Sequence, residues 1–534
     1  MDIQKIVDGL SLDELIGQVL CYQLSEDENL EELEEFIKKV RPGGVFFSGV
    51  SSEKIKTYVD MINKYTKVPV ITSCDVEWGL KNQEISFPSF MAVGAADDEA
   101  LAEEEGRITA KKQRTLNMHL SLGPVVDVNL NFQNPVMNIR SISDKAEQVA
   151  KIATAFCRGA KKEGLINCAK HFPGDGTDDR NQHFVTAVNP LSREEWMSTY
   201  GLVWKRIIDS GVDCIMAAHI SLASFEDEAN IDKFYGAPPA VLSKSLMTDL
   251  LRGELGFRGC IISDAMSMIG VCSRIEIEKI ASTFLAAGGD FVLFPEKNDF
   301  ENIKAAIESG ALSIERLKDA VKHVLELKEK ARLFDSEPVE MGDPNTVNGE
   351  LLELSQKIAD KSVTLIRDHN HILPLNLKKG DRVLMIIMME LNGRRDPTKK
   401  EFDFMKAEFE KEGICVDVMY SPKHYDIEDI MNDYASIIVC CNMNCMNYHG
   451  ATLRVGWNNI KLFWRGYLLK HPKLVFVSFG DPYKLYDFPY LKTYINAYSG
   501  VAASQRAVAK LLMGKIKAEG KSPVRLEGFF ERGV

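Results

Sequence analysis

The chain has no apolar run approaching the ~18 residues that a membrane helix needs. Its start, MDIQKIVDGLSLDELIGQVL, places no basic stretch ahead of an apolar core, so no secretory leader is read there. A basic excess is also missing. Lysine and arginine number 65 against 77 aspartates and glutamates, a net charge of −12, which argues against a nucleic-acid partner. Eleven cysteines occur without a paired framework, and several (Cys74, Cys214, Cys260) sit inside apolar strand-like runs. That usage is expected of reduced thiols in a cytoplasmic protein. A small neutral substrate such as a sugar remains compatible with all of these absences.

One cysteine cluster is weighed as a metal site. Cys440, Cys441, Cys445 and His449 could supply four zinc ligands. Cys440 and Cys441 are adjacent at the end of SIIVCC, however, and neighbours on a strand point to opposite faces. Neither a metal nor a cofactor is expected. The sequence sets no oligomeric state.

What is present begins with length. A chain of 534 residues exceeds a single core, so two domains are expected. Short, largely unalternating apolar runs recur through the first 300 residues: GGVFFSG (43–49), VPVITSC (68–74), LSLGPVVDVN (120–129), LINCAKHF (165–172), DCIMAAHI (213–220), GCIISDA (259–265) and DFVLFP (290–295). Such runs suit strands buried on both faces. Helical stretches lie between several of them, at 98–116, 145–164 and 243–256, the last with Ser243 as N-cap and Gly256 as its stop. The pattern predicts an α/β fold with an N-terminal (β/α)8 barrel, its eighth strand unassigned. The acidic stretch FDSEPVEMGDPNTVNGE (334–350) reads as a linker. A smaller α/β domain follows, carrying RVLMIIMM (382–389), YASIIVCC (434–441) and KLVFVSFGDP (473–482). The expected division is a catalytic domain over 1–335, a linker over 336–350 and a second domain over 351–534.

Polar residues collect where the barrel strands end: Asp75 after VITSC, Asp127 after LGPVV, Lys170 and His171 after INCA, His219 after IMAA, Asp264 after IIS. In a barrel those ends surround the active site. Downstream of Lys170 the run KHFPGDGTDDRNQH packs titratable groups into a loop that Pro173, Gly174 and Gly176 turn sharply. That loop can bring the His183 imidazole back over the site, where it can exchange a proton at neutral pH. Asp264 alone is compatible with a nucleophile, a general base or a metal ligand. A carboxylate nucleophile facing a proton donor is the layout of a retaining glycosidase, although both groups are usually carboxylates there.

KHFPG-D-G-x5-QH, with CDVEWG upstream and SDAMSM downstream, resembles glycoside hydrolase family 3, and within it the β-N-acetylglucosaminidase branch in its two-domain form. The resemblance covers nearly the whole chain. LDELIGQVL (12–20) is similar to the family's opening helix, and GPVVDVNLNFQNPVMNIRSIS (123–143) to the stretch that supplies an arginine to the sugar. SVTLIRDHNHILPL (362–375) and the segment 476–524 are similar to its second domain. The resemblance implies Asp264 as the catalytic nucleophile and His183 as the acid/base. It implies Asp75, Arg140, Lys170 and His171 as partners of the sugar hydroxyls, with Asn181 and His219 in support.

It implies an exo-acting β-glycosidase for terminal N-acetylglucosamine, suited in the cytoplasm to turnover of peptidoglycan fragments. Two positions depart from the branch. Asn181 stands where an aspartate usually orients the histidine, unless Asp178 or Asp179 takes that part, and Gln83 stands where an arginine is usual. Three alternatives compete: a β-glucosidase; a phosphorylase, since a neutral histidine repels an incoming phosphate less than a glutamate does; and a catalytically impaired sugar-binding homologue.

Overall fold

The computed structural model describes residues 2–77, 85–335, 342–388, 402–443 and 454–533. Gln83, Cys445 and His449, and the linker residues 336–341, lie outside the described residues.

Eight parallel strands form the first sheet: β1 (Leu20–Leu24), β2 (Gly44–Phe47), β3 (Ile71–Cys74), β4 (Leu120–Ser121), β5 (Ile166–Phe172), β6 (Cys214–Ala217), β7 (Cys260–Ser263) and β8 (Val292–Leu293). They run β8-β1-β2-β3-β4-β5-β6-β7 around the sheet. The remaining seam between β7 and β8 is bridged by the parallel pair Ile262 and Phe291 and by Leu293 N–H donating to Ser263 Oγ at 2.9 Å. Strand order follows chain order around the ring, as right-handed β/α crossovers produce. Cys21, Phe46, Ile71, Leu120, Ile166, Cys214, Cys260 and Leu293, one from each strand, share a single buried core with Val324 and Leu327 of the helix Ile314–Lys330 and with Ala331, which caps it. This is a (β/α)8 barrel.

The seven apolar runs read in the sequence all carry strands. The eighth is β1. The helix Leu12–Gln18, closed at its start by a reciprocal Ser11–Glu14 capping box, gives way to β1 after one residue. The stretch 243–256 forms a widened helix, Ser245–Glu254, in which Leu255 N–H reaches Leu250 O at 2.8 Å. Ser243 Oγ accepts from Leu246 N–H at 3.0 Å, as expected of a cap, and Gly256 ends the helix with φ +77°.

The second sheet has six strands: β9 (Thr364–Asp368), β10 (Arg382–Met388), β11 (Cys415–Tyr420), β12 (Ser436–Cys441), β13 (Leu474–Ser478) and β14 (Thr493–Asn496). Their order is β9-β14-β13-β12-β10-β11, with only the β9–β14 pair antiparallel. Helices cover both faces, so the buried strands read as continuous apolar runs. Cys440 and Cys441 of β12 fall into two different cores on opposite faces.

Chain contacts divide the molecule into two units. The first holds Met1–Glu77, Gly106–Val128 and Ala153–Val347; the second holds Trp78–Glu105, Asn129–Ile152 and Asn348–Val534. Two excursions from the barrel's β/α connections thus join the second unit. Their Met91, Ala92, Ala95 and Ile139 are buried in the same core as Leu384, Ile437 and Phe476 of the six-stranded sheet.

Candidate active site

The site residues of the first unit stand at the carboxyl ends of β3 to β7. Lys170, near the end of β5, is buried. Its ammonium lies 2.8 Å from Asp75 Oδ1 and 3.1 Å from Glu77 Oε1. Two carboxylates compensate one buried cation. Glu77 was not singled out in the sequence. It follows Asp75 by two residues in DVEWG and is buried with Lys170.

His171 is held by Asp127. Nδ1 of the imidazole lies 2.6 Å from Asp127 Oδ2, and the His171 backbone N–H donates to the same carboxylate at 3.2 Å. Asp127 also accepts from Asp175 N–H at 2.7 Å. A fully buried carboxylate with these donors fixes the His171 tautomer, with the proton on Nδ1. The sequence places Asp127 at a strand end without giving it this function.

The KHFPGDG segment turns on two glycines. A Cβ on Gly174 would sit 2.1 Å from the Tyr200 ring, and one on Gly176 would sit 2.1 Å from Val128 O; both have positive φ. Trp196 and Trp204 each donate an indole N–H to Pro173 O at 3.1 Å. The loop is therefore packed rather than loose. Beyond it, Asp178 is occupied by Arg180 and by Val188 N–H, at 2.7 Å in each case.

The orienting of His183 falls to Asn181. Asn181 Oδ1 lies 2.7 Å from His183 Nδ1 and accepts the His183 backbone N–H at 2.9 Å. An amide oxygen accepts, so Nδ1 carries hydrogen and Nε2 is the titrating nitrogen. Of the substitutes weighed in the sequence, Asp178 is thus engaged with Arg180 and Val188, and the residue touching the imidazole is Asn181 itself. The His183 carbonyl accepts Ile269 N–H at 3.1 Å, which ties this loop to the segment after β7.

Asp264 follows β7. Its N–H donates to Ala217 O at 2.8 Å, and its Oδ1 accepts Ala265 N–H at 2.7 Å. Burial opposes charge on this carboxyl. His219, His171 and His183 outweigh that opposition with the help of the Ala265 N–H, and hold its pKa below the ordinary carboxylate value. Asp264 is therefore an ionised carboxylate. His219 is fully buried, with Nε2 2.9 Å from Ala265 O. Burial lowers its pKa, against the pull of the Asp264 carboxylate and the Ala265 carbonyl. Its imidazole holds the backbone on the far side of Asp264 in place.

Arg140 belongs to the second unit. It ends the short helix Asn138–Arg140 and is buried, with a guanidinium N–H donating to Val136 O at 3.3 Å. Among the described residues no group of three histidine, cysteine or acidic side chains is arranged to hold a metal ion.

Residues 11–327, more than half of the chain, match the glycosyl hydrolase family 3 N-terminal domain. A beta-N-acetylglucosaminidase/beta-glucosidase of Cellulomonas fimi is 28% identical over 96% of this chain and 93% of its own. A solved beta-glucoside phosphorylase with 2FGlc bound is 30% identical, with a TM-score of 0.88 over 98% of this chain and 96% of that one. The solved family 3 beta-N-acetylglucosaminidase of a Paenibacillus species is 25% identical, with a TM-score of 0.84 over 97% and 99%. The chain is a member of glycoside hydrolase family 3.

Proposed function

We propose that this protein is a retaining exo-β-glycosidase that removes terminal β-linked N-acetylglucosamine. Asp264 attacks the anomeric carbon and forms a covalent glycosyl-enzyme, while His183 Nε2 protonates the departing oxygen. The same nitrogen then takes a proton from the incoming water, and the product keeps its β configuration. Asp75, Glu77, Lys170 and His171 hold the sugar hydroxyls. The stretch 1–335 carries the reacting groups, and the protein works in the cytoplasm. The observation that carries this reading is the pairing of a carboxylate held ionised at Asp264 with an imidazole whose Nδ1 is fixed at Asn181.

The test uses p-nitrophenyl N-acetyl-β-glucosaminide and the matching β-glucoside with the wild type, Asp264→Ala and His183→Ala. Cleavage of the first substrate, lost by orders of magnitude in both variants, supports the reading. Preference for the glucoside moves the sugar assignment. No cleavage of either sinks it.

One observation favours a second reading. Asn181 is uncharged, so the proton-transfer pair carries no fixed negative charge to repel an anion. Phosphate can then replace water as acceptor, giving a glycosyl phosphate. A beta-glucoside phosphorylase is among the similar solved structures. Product analysis with and without phosphate separates the two.

A further inference from the structure

Three consecutive strands of the barrel, β5, β6 and β7, send loops to its carboxyl-end face, and the three loops are fastened to one another. Ile269 N–H donates to His183 O at 3.1 Å, and Thr186 Oγ1 donates to Gly270 O at 2.7 Å. A Cβ on Gly270 would lie 2.2 Å from Gln182 O and 3.1 Å from His219 Cβ, so the loops after β5 and β7 touch. Arg274 fastens the third. Its guanidinium donates to the carbonyls of Tyr235, Gly236 and Ala237 at 2.6, 3.1 and 2.8 Å.

These fastened loops carry apolar side chains into water. Phe184 is 51% exposed, Phe234 85%, Tyr235 52% and Ile269 53%; Val185 and Ile277 are exposed as well. Among the described residues of the barrel unit, the only other large apolar side chain so exposed is Leu30. Scattered exposure is ordinary, but six such residues on one face mark a binding surface. The loop bearing Phe234 is built to present it. Asp232 Oδ1 accepts the N–H groups of Phe234 and Tyr235, both at 2.7 Å, and Asp232 and Gly236 pair across the turn. The Phe234 and Tyr235 rings pack edge to face at 4.8 Å, and the Arg274 guanidinium lies 5.5 Å from the Tyr235 ring centre.

The surface is continuous with His183. Phe184 follows that imidazole in the chain, and Ile269 is bonded to its backbone. A group that protonates a leaving oxygen faces the leaving group, so whatever departs from His183 departs over Phe184 and Ile269. A sugar there needs hydrogen-bond partners for its hydroxyls, and sites built for hydroxyls supply them. Val185 and Ile269 supply none, and the Arg274 guanidinium donates to backbone carbonyls.

We propose that this surface is the leaving-group site and that it takes an apolar aglycone, an alkyl or aryl group, in preference to a second sugar. The inference rests on the reading of Asp264 and His183 as the reacting pair. Phe184, Phe234 and Ile269 then set aglycone specificity.

The test compares methyl, octyl (below its micellar concentration) and N-acetylglucosaminyl β-N-acetylglucosaminides. Methyl and octyl alcohols have leaving oxygens of similar basicity, so their kcat/KM ratio reads apolar contact alone. We expect octyl to exceed both others by roughly tenfold or more, and expect Phe184→Ser, Ile269→Ser and Phe234→Ser each to lower the octyl-to-methyl ratio. Taken as a ratio within one variant, the result is insensitive to partial misfolding. Binding of 4-methylumbelliferone to the wild type and to Phe234→Ser, followed by fluorescence, requires no turnover. Binding that Phe234→Ser weakens, with no glycoside cleaved, upholds the apolar site and sinks the reacting pair. Turnover with an octyl-to-methyl ratio near one, preference for the disaccharide, or a ratio unmoved by the three variants overturns the inference. So does a dimer in sedimentation that Phe234→Ser splits, since the surface is then an interface between copies.

Discussion

Asn181 Oδ1 stands 2.7 Å from His183 Nδ1, two residues along the same loop. The contact fixes which imidazole nitrogen titrates without placing a negative charge beside it.

Asn181→Asp supplies that charge. A carboxylate at the same position stabilises the imidazolium and raises the His183 pKa. The alkaline limb of the pH dependence of kcat/KM is expected to move to higher pH. Where phosphate serves as acceptor, the ratio of glycosyl phosphate to free sugar is expected to fall, because the new charge repels the anion. Initial rates from pH 5 to 9, with and without phosphate, check both outcomes. An unmoved limb means that His183 is not the titrating group.

Asp127 acts on the site through His171. It holds Nδ1 at 2.6 Å and the Asp175 N–H at 2.7 Å. Asp127→Asn keeps the shape but offers one carbonyl oxygen where two oxygens now accept. We expect kcat/KM to fall on the order of 10- to 100-fold, as when an orienting partner of a working imidazole is removed. The loss is expected mainly in kcat, with the thermal midpoint shifted by a few degrees. A loss confined to stability contradicts the positioning role.

Most of the barrel was legible because a strand buried on both faces announces itself as an unbroken apolar run. Leu20–Leu24 escaped for a local reason. The amphipathic helix Leu12–Gln18 leads into it after a single residue, so the helical pattern runs straight into the strand. The carboxyl-end face was legible as strand ends: Asp75, Asp127, Lys170, His171, His219 and Asp264 were all marked by position. The partnerships were not. Nothing in a sequence says that Glu77 turns to Lys170, or that Asp127 spends its oxygens on His171 and Asp175, because these bonds join residues 44 or more positions apart. The grouping of 78–105 and 129–152 with the second sheet was equally hidden, since it rests on where Met91 and Ile139 bury their side chains.

Asp290 anchors the barrel near the start of β8. Arg252 and Arg316 reach its oxygens at 2.5 and 2.6 Å, and Ile261 N–H donates to it at 2.8 Å. Burial opposes its charge, but Arg252, His323 and Arg316 hold its pKa below the ordinary value. Asp290→Ala leaves the largely buried Arg252 guanidinium without its carboxylate and Arg316 with Asp319 alone. A loss of about 3–5 kcal/mol is expected, read as a lower urea midpoint. A loss under about 1 kcal/mol refutes the anchoring role.

His119 predicts how the fold responds to acid. The ring is buried, and its Nδ1 lies 3.3 Å from the Thr72 N–H and 2.6 Å from Thr72 Oγ1. Burial, with Arg114 and Lys328 nearby, pushes its pKa down to about 3. In the unfolded chain the imidazole titrates near 6.5. Between those two values the unfolded state binds the proton and the folded state does not, so stability falls as pH falls across that window. From pH 7 to pH 5 this group alone removes roughly 2 kcal/mol. His119→Gln cannot bind the proton in either state. It is expected to be less stable than the wild type at pH 7, having lost the Thr72 contacts, yet to lose less of its remaining stability on going to pH 5. Urea midpoints for both proteins at the two pH values decide it. Equal acid losses in the two proteins place the sensitivity elsewhere, among carboxylates such as Asp290 whose charge the fold also needs.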